Sequence, residues 1–198
     1  MRKYYLTLLF IFMAFSAHLL AIDEWQQTSG PKINENTYES IYSIVIDGNN
    51  HIYAGTNGNG VYKSTDNGNS WSHILNNHYS IWRMLIDNNG YIFLATEMDG
   101  IWRSTDAGET WELSFESYWL VTDIVCSPSN ILYCSTELNG VLKSTDNGDS
   151  WESVWSPNTL IWSLSTDINE NIYAGSMGDG LFMSTDMGEN WDVQEIDA

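Results

Sequence analysis

Residues 64–71 read STDNGNSW, and this phrase recurs three more times at a constant spacing of forty residues. The later copies are STDAGETW from Ser104, STDNGDSW from Ser144 and STDMGENW from Ser184. Every copy keeps its first Ser, its Asp, its Gly and its closing Trp. Self-similarity at a fixed period indicates a tandem array, in which each repeat is one structural unit.

The repetition extends beyond the phrase. Residues 52–56 read IYAGT and align with IFLAT at 92–96, LYCST at 132–136 and IYAGS at 172–176. We therefore divide the chain into four repeats, at 38–77, 78–117, 118–157 and 158–198. A period of about forty residues with several short β-type runs is the size of one four-stranded propeller blade.

The first repeat contains four candidate strands, labelled A to D in chain order. They span residues 41–46, 51–55, 60–64 and 71–75, and turn-like residues or the repeated phrase separate them. No sustained helical period occurs outside the N-terminus. The sequence thus predicts an all-β propeller of four four-stranded blades, arranged as an open arc or partial propeller.

The repeated phrase resembles the Asp-box, or BNR repeat, whose pattern is Ser-x-Asp-x-Gly-x-Thr-Trp. This family includes the propellers of sialidases, sortilin-type luminal domains, photosystem II assembly factors and bacterial surface sensors. The resemblance implies that the box is a structural C–D turn on the rim opposite the catalytic centre of sialidases. The residues expected to be structural are Ser64, Asp66, Gly68, Trp71, Ser104, Asp106, Gly108, Trp111, Ser144, Asp146, Gly148, Trp151, Ser184, Asp186, Gly188 and Trp191.

A calcium loop is the rival interpretation of the box. Asp66 and its neighbours resemble the alternating oxygen ligands of calcium sites. The bidentate Glu that closes an EF-hand loop is missing, so we expect no metal there.

Cys126 and Cys134 are expected to be small buried residues, with a strained disulfide as the alternative, because the hairpin register offsets them diagonally. The histidines fall at unrelated repeat positions and predict no metal cluster, and the sequence indicates no cofactor.

The first twenty-one residues have the layout of a secretory signal peptide. Arg2 and Lys3 precede an apolar stretch, and small residues suit cleavage after Ser16 or Ala21. An uncleaved anchor is the alternative. Residues 22–37 are expected to form an N-terminal strand and linker, with a D-like strand at residues 25–28. These features predict a secreted, periplasmic or cell-surface protein with no stable membrane span after cleavage.

The chain is strongly acidic. Seven Lys and Arg residues oppose twenty-six Asp and Glu residues, for a formal charge of −19, and loss of Arg2 and Lys3 would make it −21. Such a charge makes nucleic acid and anionic membranes unsuitable partners.

Two glycosidase classes are alternatives. A sialidase needs three arginines for the substrate carboxylate, whereas only Arg83 and Arg103 follow the predicted signal peptide, and Arg103 aligns with lysines beside the boxes. Xyloglucanase-like propellers use paired carboxylates, for which the chain offers Asp123, Glu97, Glu137, Asp99 and Asp179. Loop carboxylates are commonplace in so acidic a chain, so we favour a non-catalytic protein.

Divergent repeat positions predict a binding face. The second residue of each A strand is Tyr42, Trp82, Thr122 or Trp162, and the third is Ser43, Arg83, Asp123 or Ser163. Aromatic planes beside polar groups suit a carbohydrate, peptide or protein partner. The alternative is that the tryptophans fill space between blades and that Arg83 and Asp123 form a plain ion pair. Candidate ligand-binding residues are Tyr42, Trp82, Arg83, Asp123, Trp162, Glu97 and Glu137.

Four blades are fewer than Asp-box propellers generally have. The sequence is thus compatible with the N-terminal part of a larger propeller or with half of a dimeric ring. Ile44, Met84, Ile124 and Leu164 are expected on the faces between blades. Open ends would expose such a face, which predicts either self-association or a sticky, marginally stable monomer.

Overall fold

The computed structural model describes residues 30–34, 37–76 and 79–194. All regular structure in these ranges is β-strand, arranged as four four-stranded sheets and one two-stranded hairpin. Within them, no helix has the length and apolar character needed to cross a bilayer. The predicted signal peptide at 1–21 and the D-like strand at 25–28 lie outside the described residues.

The hairpin precedes the four sheets in the chain. It consists of β1 (Lys32–Asn34) and β2 (Thr37–Tyr38). The sheets consist of β3 (Ile41–Ile46), β4 (Ile52–Thr56), β5 (Val61–Ser64) and β6 (Ser72–Leu75); β7 (Ile81–Ile86), β8 (Ile92–Thr96), β9 (Ile101–Ser104) and β10 (Glu112–Phe115); β11 (Val121–Cys126), β12 (Leu132–Thr136), β13 (Gly140–Ser144) and β14 (Glu152–Trp155); and β15 (Ile161–Thr166), β16 (Ile172–Ser176), β17 (Leu181–Ser184) and β18 (Asp192–Gln194).

Each sheet is an antiparallel meander in which the strands pair in chain order. This is the topology of a propeller blade, and neighbouring A strands (β3, β7, β11 and β15) pack against one another in order. The predicted all-β fold and partial propeller of four blades are therefore confirmed. The β1–β2 hairpin is a difference, because the sequence pattern had indicated only a linker after the D-like strand.

Apolar side chains between successive blades form the core. Three buried clusters occupy the three spaces between the four blades, around Tyr53, Phe93 and Tyr133. Met84, Ile124 and Leu164 are buried there as expected, whereas Ile44 on the outward face of the first blade is 59% exposed. Self-association through that face stays a prediction.

The two cysteines lie in the hairpin of β11 and β12. Cys126 pairs in register with Leu132, and Cys134 pairs with Ile124, so the thiols are diagonally offset as expected. Both are free in the structure, and Cys134 is fully buried in the cluster between the second and third blades. Cys134 acts as a small apolar side chain of the core, whereas the partly buried Cys126 thiol donates to Asn130 Oδ1 at 3.3 Å.

Connections of the same type meet at the same rim of the arc. On one rim, the first residue of each B–C loop donates its N–H to the residue just before the A strand, as Glu97 does to Ser80 at 3.2 Å. On the opposite rim, A–B turns and strands contact the box of the next blade, as when Tyr53 Oη donates to the Ala107 carbonyl at 3.2 Å. We call the first the cavity rim, after the cavity described in the next subsection, and the second the box rim.

Candidate functional site

A β-bulge occurs at the second residue of every A strand. In β3, Ile41 pairs with Thr56 while Ser43 pairs with Gly55, so Tyr42 is the extra residue. The same step occurs at Trp82, Thr122 and Trp162. Bulges re-aim a side chain and are common beside functional sites. Here they lie at the cavity rim and set apart a position that varies between repeats.

Three of the bulge residues form an aromatic cluster. Trp82 packs between Tyr42, at 5.3 Å between ring centroids, and Trp162, at 6.4 Å in an edge-on arrangement. Tyr42 and Trp162 remain 41% and 47% exposed. These rings belong to the first, second and fourth blades, so the cluster spans the inside of the arc.

The third blade contributes a small residue, which leaves space between the rings. Thr122 is buried, and its hydroxyl donates to the Ile161 carbonyl of the fourth blade at 2.7 Å. A cavity of about 280 Å³ lies over it, which we call the A-strand cavity. Its lining residues are Ile41, Tyr42, Trp82, Arg83, Leu120, Thr122 and Trp162.

Arg83 is the charged side chain in this lining. Its Nε lies 3.5 Å from Asp123 Oδ1, and its side chain is half exposed. Asp123 is buried instead, and its oxygens accept the N–H groups of Ile124 and Leu164, both at 2.9 Å. Burial raises the pKa of Asp123, while those two hydrogen bonds and the Arg83 charge oppose the rise.

The structure thus brings together five of the seven candidate ligand-binding residues. Glu97 and Glu137 lie on exposed B–C loops of the cavity rim and do not line the cavity. Ile41 and Leu120 do line it, although the sequence pattern had not indicated them. Ile41 lies directly before the bulge residue of β3, and Leu120 lies directly before β11. Their positions beside the variable bulge residues are the signal that could have indicated them.

One indole N–H in the lining has no acceptor. Trp82 Nε1 is buried and makes no hydrogen bond within the described part of the chain. A buried donor without a partner costs about 1–3 kcal/mol. A second cavity of about 270 Å³ lies against Trp162, Ser176 and Met177, so Trp162 separates two open spaces.

On the box rim, all four boxes repeat one hydrogen-bond pattern. The serine Oγ accepts the N–H of the box Gly at 2.8–2.9 Å and donates to the Asp Oδ1 at 2.8–2.9 Å. The Asp Oδ1 also accepts the N–H four residues later, at 2.8–2.9 Å. The side chain of that same residue donates to the other Asp oxygen, Oδ2. This side-chain bond, followed by the backbone N–H and the Ser hydroxyl, lowers the pKa of all four carboxyls, that of Asp106 and of Asp146 to about 2. Their oxygens are used within the turn, which is a structural role.

The boxes also form hydrogen bonds with neighbouring blades. Lys63 Nζ donates to the Ala107 carbonyl of the second box at 2.9 Å, and Arg103 Nη1 donates to the Asn147 carbonyl of the third at 2.6 Å. In the described residues no group of three or more His, Cys, Asp or Glu side chains is arranged to hold a metal ion.

Comparisons with known proteins agree with this geometry. The sequence model of the BNR/Asp-box repeat family matches residues 102–113, which include the second box. The chain therefore contains a sequence of the BNR/Asp-box repeat type, and its fold is that of a partial β-propeller. The comparison with curated protein sequences gives no match.

Solved structures share the fold at low identity. An ancestral GH74 enzyme is 24% identical, with a TM-score of 0.68 over 86% of this chain and 26% of that one. YCF48 bound to D1 peptide is 20% identical, with a TM-score of 0.62 over 82% and 56%. The extracellular domain of the putative one component system BT4673 from B. thetaiotaomicron is 18% identical, with a TM-score of 0.62 over 77% and 22%.

The chain therefore spans between about a fifth and just over half of these structures. They include a GH74 enzyme, a peptide-bound protein and the extracellular domain of a one component system, so the shared propeller does not itself select an activity.

Proposed function

We propose that this chain is an exported, non-catalytic propeller module that binds a peptide segment of a partner protein in the A-strand cavity. The observation that carries the proposal is the aromatic cluster in which Tyr42 and Trp162 are exposed on either side of Trp82, set at β-bulges around the small residue Thr122. Exposed rings with one charged group nearby provide both apolar contact and orientation for a ligand.

The size of the cavity favours a peptide side chain as its occupant. A volume of about 280 Å³ is at the low end for ligand pockets, which suits one or two amino-acid side chains. That YCF48 binds D1 peptide on the same fold supports a peptide ligand. Export is proposed from the charged and apolar layout of residues 1–21 and from the extracellular neighbours.

The arrangement of carboxylates supports the non-catalytic part of the proposal. Glycoside hydrolysis uses two carboxyl groups that flank the scissile bond. The lining of the A-strand cavity contains none, and both oxygens of nearby Asp123 accept backbone N–H groups. We expect the purified chain to release no sugar from xyloglucan and no fluorophore from a sialic-acid glycoside. Turnover that disappears in Asp123→Asn would overturn this part of the proposal.

A peptide-display library and a glycan array, both probed with the purified chain, test the ligand class. We expect enrichment of peptides and loss of their binding in Tyr42→Ala. Tyr118→Ala is the matched control, because Tyr118 is 73% exposed on a D–A connection and does not line the cavity. Binding of glycans alone, or equal loss in both variants, would contradict a peptide site in this cavity.

A further inference from the structure

The third position of the A strand links one blade to the next at two of the three junctions between blades. Ser43 Oγ accepts the N–H of Met84 in the second blade at 2.9 Å. Asp123 Oδ2 accepts the N–H of Leu164 in the fourth blade, also at 2.9 Å. Both side chains provide an acceptor for a buried backbone donor of the following A strand.

Arg83 occupies this position in the second blade and has no acceptor to offer. The corresponding donor, the N–H of Ile124, bonds instead to Oδ1 of its own neighbour Asp123 at 2.9 Å. The link that Arg83 does not provide is thus compensated by Asp123. Arg83 does not make the bond that Ser43 and Asp123 make at this position, and Asp123 accepts the unpaired N–H instead. The Arg83 side chain is therefore available for another role.

The surroundings of Arg83 direct it toward the A-strand cavity. Its Nε lies 3.5 Å from Asp123 Oδ1, which fixes one edge of the guanidinium. Within the described residues its two terminal nitrogens have no hydrogen-bond partner, and half of the side chain is exposed at the cavity. A planar guanidinium with both terminal nitrogens free matches the two oxygens of a carboxylate.

The other cations in the described chain are engaged elsewhere. Lys63 and Arg103 bond to box carbonyls, and Lys143 pairs with Glu152 at 3.2 Å. Lys32 lies over the Tyr38 ring, at 5.1 Å from its centroid. In a chain with seven cationic and twenty-six acidic residues, a cation beside the aromatic cluster is a local exception to the acidic surface.

We propose that Arg83 binds a carboxylate of the ligand, so that the A-strand cavity recognises an acidic group next to an apolar side chain. The apolar side chain packs against Trp82 and Trp162, while the carboxylate pairs with the terminal nitrogens of Arg83. This inference rests on the proposed function for the peptide nature of the ligand. It adds the chemical class of the recognised group.

The test measures dissociation constants by NMR titration of the ¹⁵N-labelled chain. The probes are N-acetyl-Phe-Glu-amide and its neutral isostere N-acetyl-Phe-Gln-amide, with N-acetyl-Phe-Gly as a free acid and as an amide. The first pair tests a side-chain carboxylate, and the second tests a terminal carboxylate. We expect at least one acid to bind roughly tenfold more tightly than its neutral partner.

Arg83→Gln should abolish that tenfold preference, so that each acid and its neutral partner bind with about the same affinity. Arg83→Lys should keep part of it, because lysine retains the charge without the fork. Lys32→Gln is the matched control, since it removes one positive charge outside the cavity and should change nothing. Thermal melting of each variant checks that the fold is intact.

The outcomes separate this inference from the proposed function. If acids and amides bind equally, and Arg83→Gln changes neither while Tyr42→Ala weakens both, the role of Arg83 is wrong and the peptide site stands. If no peptide binds but glucuronate binds in an Arg83-dependent way, the acid-binding role stands and the peptide assignment falls. If neither peptide nor glucuronate binds, both fall.

Discussion

The box rim and the cavity rim are built from the same four repeats, but the repeats vary in different ways at the two rims. At the box rim, Ser, Asp, Gly and Trp are kept in all four copies, and each copy makes the same bonds at nearly the same distances. At the cavity rim, the bulge residue is aromatic in three blades and Thr122 in the other. The sequence is uniform in the boxes, which form the C–D turns and contact neighbouring blades. It diverges at the bulge position of the A strand.

The fourth blade sharpens this contrast. Met183 takes the place of the cations Lys63, Arg103 and Lys143, and Gln194 takes the place of Ile74, Ser114 and Val154. Five of those six residues contact the box of the following blade: Lys63, Arg103, Ile74, Ser114 and Val154. No following box lies in the described part of the chain. A cation thus occurs at the repeat position of Met183 in the three blades that a further box follows, and not in the fourth.

The largest expected effect is that of Gly148→Ala in the third box. Gly148 has a φ of +85°, and an added Cβ would lie 2.8 Å from Phe93 Cε1, a buried ring of the preceding blade. We expect a loss of about 3 kcal/mol in the free energy of unfolding, measured by urea denaturation.

The matched control is Gly58→Ala on the cavity rim. Gly58 has a φ of +90°, but no described atom lies within 4 Å of its would-be Cβ. It should lose about 1 kcal/mol, from backbone strain alone. Equal losses would mean that the box glycine does not serve inter-blade packing.

The second prediction concerns the link from β9 to the third box. Arg103→Met, which copies the fourth blade, removes the bonds to the Asn147 carbonyl and to Glu112 and Asp149. Because both carboxylates are solvent-exposed, we expect a loss of only about 2 kcal/mol. The reverse change Met183→Lys should give no gain. A gain as large as the Arg103→Met loss would show that the fourth blade also seats a box.

Much of this architecture was predictable from the sequence, for a physical reason. The forty-residue period and the box make local demands, such as the Ser64 to Gly68 bond, that residue types at fixed offsets reveal. For the A-strand cavity, the sequence could indicate only that the second residue of the A strand differs between repeats. Its space depends on the size of Thr122 beside Trp82 and Trp162, which are forty residues distant on either side. The compensation of Arg83 by Asp123 was hidden because it depends on one carboxylate accepting N–H groups from two different blades.

The third prediction concerns acid stability. The folded-state pKa of Asp106 is about 2 against an ordinary value of 3.8, so its stabilising effect is present above about pH 4 and lost as the pH falls toward 2. Asp106→Ala should lower the melting temperature at pH 7, and the gap from the original chain should shrink between pH 4 and 2.

Glu109→Ala provides the control for acid stability. Glu109 is an exposed carboxylate of the same box, and its removal should leave the melting temperature nearly unchanged throughout. A gap for Asp106→Ala that stays constant down to pH 2 would argue against a role for its ionised carboxylate.

The smallest expected effect on stability is that of Trp162→Ala on the cavity rim. Trp162 is 47% exposed and meets Trp82 only edge-on, so its removal should cost less than about 1 kcal/mol. Trp151→Ala is the matched change on the box rim. Trp151 packs against the cluster between the second and third blades, and its Nε1 donates to Ser114 Oγ at 3.0 Å. We expect it to cost about 3 kcal/mol.

Denaturation and peptide titration on the same two variants then test the contrast between the rims directly. Trp162→Ala should melt almost normally and lose peptide affinity, because its ring is a wall of the A-strand cavity. Trp151→Ala should melt early and, well below its melting temperature, bind normally, because it lies on the opposite rim. If Trp162→Ala instead destabilised the chain as much as Trp151→Ala, the aromatic cluster would be inter-blade packing. Its variation between repeats would then need a structural explanation.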